Sequence, residues 1–133
     1  MEYRVFGAER AGEVREIYRD AGWNAYLRDD AALLRALERS LYLLGAFDGE
    51  RLVGFVRCVG DGEHIVYVQD LIVHSEHQRR GVGTALLRMA MEEFGHVRML
   101  NLITDAADEG ANAFYARMGM KRFESNGIAG YFR

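Results

Sequence analysis

Residues 78–83, with the sequence Gln-Arg-Arg-Gly-Val-Gly, have the residue types of an anion-binding turn. The turn comes after the apolar run Leu71-Ile72-Val73 and opens a helical pattern at Thr84-Ala85-Leu86-Leu87. Between a strand and a helix, such a turn points successive backbone N–H groups outward, and the helix N-terminus adds partial positive charge. Its glycines lack Cβ atoms, so a phosphate can approach the chain closely. The turn therefore predicts a pyrophosphate site.

Two common nucleotide loops do not fit this turn. A P-loop requires a Gly-Lys-Ser/Thr ending, and the only lysine of the chain is the distant Lys121. The third glycine of a dinucleotide-binding motif would fall at Leu86. Both classes of nucleotide site are therefore excluded.

The turn resembles the acyl-CoA pyrophosphate loop of the GNAT superfamily of N-acetyltransferases, whose pattern is Gln/Arg-x-x-Gly-x-Gly/Ala. Gln78, Gly81 and Gly83 match that pattern residue by residue. A second block, residues 112–120, is similar to the family's Asn-x-x-Phe-Tyr-x-x-x-Gly-Phe segment. Met120 departs from the usual aromatic residue, and Ser75 stands where the family often has proline. The resemblance implies acetyl-CoA as the cofactor.

By this resemblance, backbone groups of the fourth strand bind the pantetheine arm and the glycine turn binds the pyrophosphate. Arg79 and Arg80 either pair with phosphates or are solvated loop residues, and Gln78 either contacts the cofactor or braces the turn. Asn112 either binds the arm or caps its helix. The predicted cofactor-binding residues are Leu71, Ile72, Val73, Gln78, Arg79, Arg80, Gly81, Val82, Gly83, Thr84, Asn112, Phe114 and Tyr115.

Two residues are predicted to be catalytic. The family uses the tyrosine at position 115 to protonate the thiolate that leaves acetyl-CoA, although a tyrosine in an apolar helix is also typical of a core. Asp70 lies in an otherwise apolar strand. It either orients a cationic amine, acts as a base through water, or anchors a neighbouring loop. Polyamine-acetylating relatives have a Glu-Asp pair here, but Gln69 replaces the glutamate, so a base at position 69 is in question.

The acceptor pocket is expected beside the loop between the first two helices, which roofs it in the family. Trp23 and Tyr26 fall in that loop, and an aromatic roof favours an apolar or cationic amine, although both residues also suit a lid on the core. Gln69 and Asp70 complete the predicted substrate residues, with Tyr131 as a further candidate.

The histidines do not indicate a metal site, and the cysteine does not indicate a covalent nucleophile. His64, His74, His77 and His96 lack metal-ligand spacing, so we predict no metal site and place His74 and His77 in a solvated loop. Cys58 lies in an apolar run without a neighbouring base, which is typical of a core thiol. We therefore expect direct transfer of the acetyl group.

Composition bounds the class of protein. A chain of 133 residues predicts one domain, 1–133. The net charge of −3 argues against a nucleic-acid partner. The sequence contains no apolar run of membrane length and no signal segment, and its single cysteine cannot form an internal disulfide. We therefore predict a cytoplasmic protein with no membrane partner.

Periodicity and turn residues indicate the elements that position these residues. Asp48-Gly49-Glu50 and Asp61-Gly62 predict two hairpin turns. The predicted strands are 3–6, 43–47, 52–59, 65–73, 97–103, 121–123 and 128–132. The predicted helices begin near Glu13 and near Asp29 or Asp30, follow the glycine turn, and run from about Glu109 to Met118.

The resulting order, β-α-α-β-β-β-α-β-α-β-β, is also that of the GNAT fold, an α/β fold with a mixed, mostly antiparallel twisted sheet. We expect six to seven strands flanked by four helices. The predicted function is acetyl transfer from acetyl-CoA to a primary amine of a small molecule or peptide, by direct attack in a ternary complex. The alternatives are a non-catalytic acyl-CoA sensor and an interaction module. The acceptor, the general base and other acyl donors stay open, as does a homodimer.

Overall fold

The computed structural model describes residues 1–133. The chain forms five strands and four α-helices, with short 3-10 turns at Ala8–Arg10, Asn24–Leu27, Ser75–His77 and Phe123–Asn126. In chain order the elements are β1 (Glu2–Val5), α1 (Ala11–Ala21), α2 (Asp30–Glu38), β2 (Tyr42–Asp48), β3 (Arg51–Gly60), β4 (Ile65–Val73), α3 (Val82–Glu93), β5 (Met99–Asn101) and α4 (Glu109–Arg117). They fall into two compact units, residues 1–102 and 103–133.

The first unit contains the whole sheet, in the order β1-β2-β3-β4-β5. The first three pairings are antiparallel and β4 pairs with β5 in parallel. The predicted hairpin turns are confirmed. In the second turn, Asp61 Oδ1 accepts the backbone N–H groups of Glu63, His64 and Ile65 at 2.8–3.0 Å.

A β-bulge interrupts the pairing of β4 with β3. Cys58 pairs with Val68 and Arg57 pairs with Asp70, so Gln69 is an extra residue on β4. On the other side of β4, pairing with β5 ends at Tyr67 opposite Asn101. Residues 68–73 therefore have no strand beside them on that side.

The core of the first unit forms because the helices turn one apolar face to the sheet. Helix α1 buries Val14, Ile17 and Tyr18, as its periodicity predicts, and ends at Gly22, whose φ of 76° is left-handed. In the sequence, Leu33, Leu34, Leu37 and Leu41 repeat at helical spacing. Helix α2 buries Leu33 and Leu37 but leaves Leu34 42% exposed, so only part of this apolar pattern is core. None of the helices has the length and apolar composition needed to cross a membrane.

The prediction of six to seven strands is wrong, because the second unit contains none. Residues 123–126 form a 3-10 turn instead, and the N–H of Ile128 bonds back to the carbonyl of Phe123 at 3.0 Å. Gly127, with a φ of 70°, closes this local turn. The carbonyl of Phe123 and the N–H of Ile128, which strands here would pair, are thus used in a local turn. The single domain stays a prediction.

Candidate functional site

The glycine turn leaves backbone N–H groups without partners at the start of α3. Gly81 precedes the helix with a φ of 79° and no side chain caps it. The first helical hydrogen bond runs from Ala85 N to Gly81 O at 3.0 Å, so the N–H groups of Val82, Gly83 and Thr84 precede it. These groups and the helix dipole form the predicted anion site.

The two glycines serve the turn in different ways. The φ of Gly81 is in the left-handed region, which strains any residue with a Cβ. A Cβ at Gly83 would meet only Val73 Cγ2 at 3.8 Å, an ordinary contact, so packing does not require glycine there. The missing side chain at Gly83 instead keeps the N–H groups of the turn accessible, which fits the approach of a phosphate group.

The three polar side chains of the turn have different environments: Gln78 bonds to the backbone, whereas Arg79 and Arg80 are unpaired. Gln78 Nε2 donates to the carbonyl of Val73 at 3.0 Å, so its side chain braces the turn. Arg79 and Arg80 are exposed and make no hydrogen bond or ion pair. Arg79 is the only residue other than glycine with a positive φ, 63°. Both guanidinium groups are therefore available to an anion.

The open side of β4 presents backbone groups of two residues. His74 N donates to Val53 O at 2.8 Å, which continues the β3–β4 ladder. Because bonded and non-bonded pairs alternate in an antiparallel ladder, Leu71 and Val73 point their N–H and C=O groups away from β3. Ile72 points its groups toward β3 and buries its side chain. The geometry therefore offers both backbone groups of Leu71 and the N–H of Val73, whose carbonyl already accepts from Gln78 Nε2. It leaves Ile72 no backbone group for a cofactor.

Asp70 is buried at the centre of a hydrogen-bond network and is only 1% exposed. Its Oδ2 accepts from Tyr18 Oη at 2.6 Å and from Arg57 Nε at 2.7 Å. Its Oδ1 accepts from Tyr26 Oη at 2.7 Å. Both carboxylate oxygens are thus used, and of the three predicted roles of Asp70 this arrangement favours the anchor.

The donors around Asp70 keep their protons. Burial raises the pKa of Tyr18, and the negative charge of Asp70 raises it further. Burial raises the pKa of Tyr26 as well; the hydrogen bond from Gln69 lowers it in part, and the charge of Asp70 raises it. Burial opposes the charge on Arg57, but the carboxylate beside it raises the pKa of the guanidinium overall. Three protonated donors therefore converge on one acceptor.

An aromatic stack joins this network to the surface. The rings of Tyr18 and Tyr26 stack with centroids 4.3 Å apart, and Trp23 lies 6.1 Å from Tyr18 with 37% of its surface exposed. Gln69 Nε2 donates to Tyr26 Oη at 2.8 Å and is exposed. The structure thus brings together four predicted substrate residues, Trp23, Tyr26, Gln69 and Asp70.

Sequence reasoning missed two members of the network, Tyr18 and Arg57. Tyr18 lies on the periodic apolar side of α1, a position that by itself indicates only a core residue. Arg57 is a charge inside the apolar run 52–59, and such a residue is seldom buried without a partner. Its partner, the other charge within an apolar strand, is Asp70. The sequence thus indicated that each charge needed a buried partner, whereas the pairing itself depends on strand register.

The histidines before the glycine turn are not solvated as expected. His77 is 6% exposed and its Nε2 lies 3.3 Å from Asp48 Oδ2. His74 Nδ1 accepts the N–H of Glu76 at 3.2 Å. Ligand atoms of His74, Glu76 and His77 lie within 4.8 Å of one another. These contacts hold the segment in place, and the absence of a metal stays a prediction.

The second unit carries the remaining predicted site residues. Asp108 caps α4 by accepting the N–H of Ala111 at 2.9 Å. Asn112 Nδ2 donates to the carbonyls of Asp105 and Asp108, so its side chain supports the helix start, and a cofactor contact stays a prediction. The hydroxyl of Tyr115 has no hydrogen-bond partner in the protein, and burial, followed by the charge of Asp108, raises its pKa.

Phe114 and Tyr131 complete the placement of the predicted residues. Phe114 packs edge-on against Tyr115, with ring centroids 5.2 Å apart. Tyr131 is 96% exposed near the end of the second unit. The roles of both residues stay predictions.

The sequence profile of the Acetyltransferase (GNAT) family matches residues 11–120, so the chain belongs to this family. Among solved structures, a GNAT-family acetyltransferase from Streptococcus pneumoniae is 32% identical, with a TM-score of 0.83 over 99% of this chain and 94% of that one. The PaiA N-acetyltransferase of Thermoplasma acidophilum, solved with coenzyme A, is 19% identical with a TM-score of 0.75 over 90% of this chain and 89% of its own, and shows the fold alone.

Two curated relatives are longer than this chain. A mycothiol acetyltransferase of Kineococcus radiotolerans is 38% identical over 99 residues, which are 72% of this chain and 32% of the relative. An uncharacterized N-acetyltransferase of Prochlorococcus marinus is 26% identical over 111 residues, 80% of this chain and 60% of the relative. The predicted family and fold are confirmed, and the family is one of acetyltransferases. The activity of this chain and its acetyl-CoA cofactor stay proposals.

Proposed function

We propose that this protein transfers the acetyl group of acetyl-CoA to a primary amine. The observation that carries the proposal is the start of α3, where three N–H groups precede the first helical bond beside a glycine that packing does not require. This anion site lies next to the open side of β4, where Leu71 and Val73 present backbone groups. A ligand with a pyrophosphate and an amide-bearing arm fits both features.

Different residues of the chain would bind the pyrophosphate and the arm of this cofactor. The N–H groups of Val82, Gly83 and Thr84 bind the pyrophosphate, with Arg79 and Arg80 as cationic partners. Leu71 and Val73 bond the arm as a strand would. When bound, the cofactor supplies an acetyl thioester.

In the proposed reaction, the nitrogen of a neutral amine forms a bond to the thioester carbonyl carbon and the C–S bond breaks. The sulfur leaves with the electron pair and takes a proton from the Tyr115 hydroxyl, which then regains a proton from solvent. The amine nitrogen loses its extra proton to water, because both oxygens of Asp70 are used inside the protein. Catalysis then comes mainly from positioning. The cytoplasmic location and the homodimer stay predictions.

The test is a calorimetric titration with acetyl-CoA of the wild-type protein and of Gly83→Glu. The variant places bulk and negative charge at the N–H groups without backbone strain, since the φ of Gly83 is not positive. The matched control is Gly12→Glu, where a Cβ meets nothing within 4 Å. We expect one-site binding that Gly83→Glu weakens at least about tenfold, roughly 1.4 kcal/mol, and that Gly12→Glu retains.

Thiol release with a panel of primary amines then separates the candidate functions. Binding with release in the presence of an amine supports the acetyltransferase. Binding without release from any amine favours the non-catalytic sensor. If the wild-type protein does not bind acetyl-CoA, the proposal fails and the interaction module remains.

A further inference from the structure

The bulge on β4 gives two consecutive residues the same partner. In a regular strand, successive side chains point to opposite faces. Here Gln69 Nε2 and Asp70 Oδ1 both lie within hydrogen-bond distance of Tyr26 Oη, at 2.8 and 2.7 Å. Gln69 is the extra residue of the bulge, which is why its side chain reaches the face that Asp70 occupies. A surface amide is thus connected to a buried carboxylate through one hydroxyl.

The buried carboxylate sets the direction of every hydrogen bond in this connection. Asp70 accepts from Tyr18 and Arg57 as well as from Tyr26. Tyr26 has one hydroxyl proton and donates it to Asp70, so its oxygen can only accept from Gln69. Gln69 must therefore turn its NH₂ group toward Tyr26. Its Oε1 accepts no hydrogen bond within the protein and is left as an oriented acceptor on an exposed side chain.

Gln69 also lies where the thioester end of the cofactor is expected. The pairing of β4 with β5 ends at Tyr67, two residues before Gln69. An arm that starts at the anion site and bonds Val73 and then Leu71 continues along the open side of β4 toward Gln69. The rise from Val73 to Gln69 is about 13 Å for a strand. The free Oε1 is therefore placed toward the reacting end of the arm.

We propose that Gln69 binds the acceptor amine: its Oε1 accepts a hydrogen bond from one N–H of the attacking nitrogen, and Tyr26 holds the amide in that orientation as a positioning residue. This inference rests on the proposed function. A neutral primary amine has two N–H groups, so one is held by Gln69 while water removes the proton from the other side. An N-methyl amine has one N–H, which it needs for deprotonation. Gln69 therefore selects primary over secondary amines.

The test compares each primary amine with its N-methyl derivative, using glycinamide, benzylamine and 1,5-diaminopentane as probes. The quantity measured is the ratio of kcat/KM for the two members of a pair, because the fraction of active protein cancels in a ratio. Gln69→Met keeps the length of the side chain and removes the acceptor oxygen. We expect Gln69→Met to lower the ratio about tenfold, the value of one hydrogen bond, and to leave the affinity for acetyl-CoA within about twofold.

Tyr26→Phe separates positioning from a merely structural role. It keeps the stacked ring and frees the Gln69 amide to rotate, so the ratio should fall in the same direction, about threefold for part of one hydrogen bond. The double variant Tyr26→Phe/Gln69→Met should match the ratio of Gln69→Met alone, since the Tyr26 hydroxyl affects this ratio through Gln69. Tyr42→Phe, which removes the hydroxyl of another half-buried tyrosine, should keep the wild-type ratio.

Three outcomes overturn the inference. An unchanged ratio in Gln69→Met, with thiol release intact, removes Gln69 from acceptor binding and leaves the proposed function standing. Additive effects of Tyr26→Phe and Gln69→Met remove Tyr26 as the positioning residue. If the wild-type protein binds acetyl-CoA but acetylates no probe amine, the proposed function fails for these amines and the inference fails with it.

Discussion

Arg79 combines an unfavourable backbone conformation with a free cation. Its φ of 63° is in the left-handed region, which costs a residue with a Cβ about 1–2 kcal/mol. Such strain is common at binding sites, where the surrounding structure maintains it. The neighbouring Gly81 has a similar φ of 79° without this cost. The protein thus keeps an arginine where glycine would be more stable, which is explained if the guanidinium binds a phosphate.

Arg79→Gly should stabilise the free protein and weaken its cofactor binding. The strain is relieved, and the greater freedom of glycine in the unfolded chain offsets part of the gain, so we expect a net increase of about 0.5–1 kcal/mol in the free energy of unfolding. Urea unfolding and calorimetry with acetyl-CoA measure the two effects. Arg80→Gly is the matched control, because Arg80 has no positive φ and should gain no stability. Equal effects of both variants on stability would contradict the strain argument.

The hydroxyl of Tyr115 is available for chemistry because no group of the protein bonds it, and burial raises its pKa so that it stays protonated. Tyr115→Phe should therefore lower kcat by about 100-fold, within the usual range for a lost general acid, while the affinity for acetyl-CoA changes by less than about twofold. Steady-state thiol release and calorimetry check this result. Undiminished turnover in the variant would assign proton transfer to another group.

At the scale of elements, three parts of the first unit donate hydrogen bonds to the Asp70 carboxylate. They are α1 through Tyr18, the 3-10 turn Asn24–Leu27 through Tyr26, and β3 through Arg57. Asp70→Asn leaves the buried guanidinium of Arg57 without its counter-charge. Breaking one partner of a buried ion pair costs about 3–5 kcal/mol, so a loss of that size in urea unfolding is expected.

Asp30→Asn provides the matched control for this loss. It removes the same charge from an ion pair with Arg15 in which the aspartate side chain is 66% exposed. Exposed pairs contribute about 1 kcal/mol or less, so the control should change the stability little. Similar losses of unfolding free energy in the two variants would show that the burial of Asp70 does not increase the cost of breaking its ion pair.

The turn between β3 and β4 should contribute a pH-dependent part of the stability. Backbone N–H groups of Ile65, Glu63 and His64 lower the pKa of Asp61 from 3.8 to about 2. Because the folded pKa lies below the unfolded one, this contribution is complete above pH 4 and is lost as the pH falls from about 4 to about 2. In Asp61→Asn the difference from the wild-type protein should shrink over the same interval.

Unfolding free energies of both proteins between pH 2 and 5 test this difference. Glu63→Gln, which removes a charge from the same turn where the side chain makes no hydrogen bond, is the matched control for the loss of charge. A difference between the wild-type protein and Asp61→Asn that stays constant from pH 5 to pH 2 would exclude Asp61 as its source.

The sequence predicts local features of this protein better than it predicts which residues of neighbouring strands pair. The glycine turn is readable because Gly81 and Gly83 act through conformation and size at their own positions. The Arg57–Asp70 pair depends on strand register, which the bulge at Gln69 shifts by one residue, and no local pattern marks that bulge. The apolar residues of 128–132 suggested a strand, but Gly127 bends the chain into a local turn just before them.

For the whole molecule, a ligand that binds only the folded protein must raise its stability. Acetyl-CoA at 100 times its dissociation constant should add about 2.7 kcal/mol, which for a chain of this length is a shift in Tm on the order of 10 °C. At the same molar concentration as acetyl-CoA, coenzyme A should give most of this shift. Pantetheine, which has the arm without the pyrophosphate, should give little of it at that concentration. That order follows if the N–H groups at the start of α3 are the main anchor. Thermal unfolding of the wild-type protein and Gly83→Glu with each ligand decides the matter, since equal shifts with pantetheine and coenzyme A would move the anchor from the glycine turn to the open side of β4.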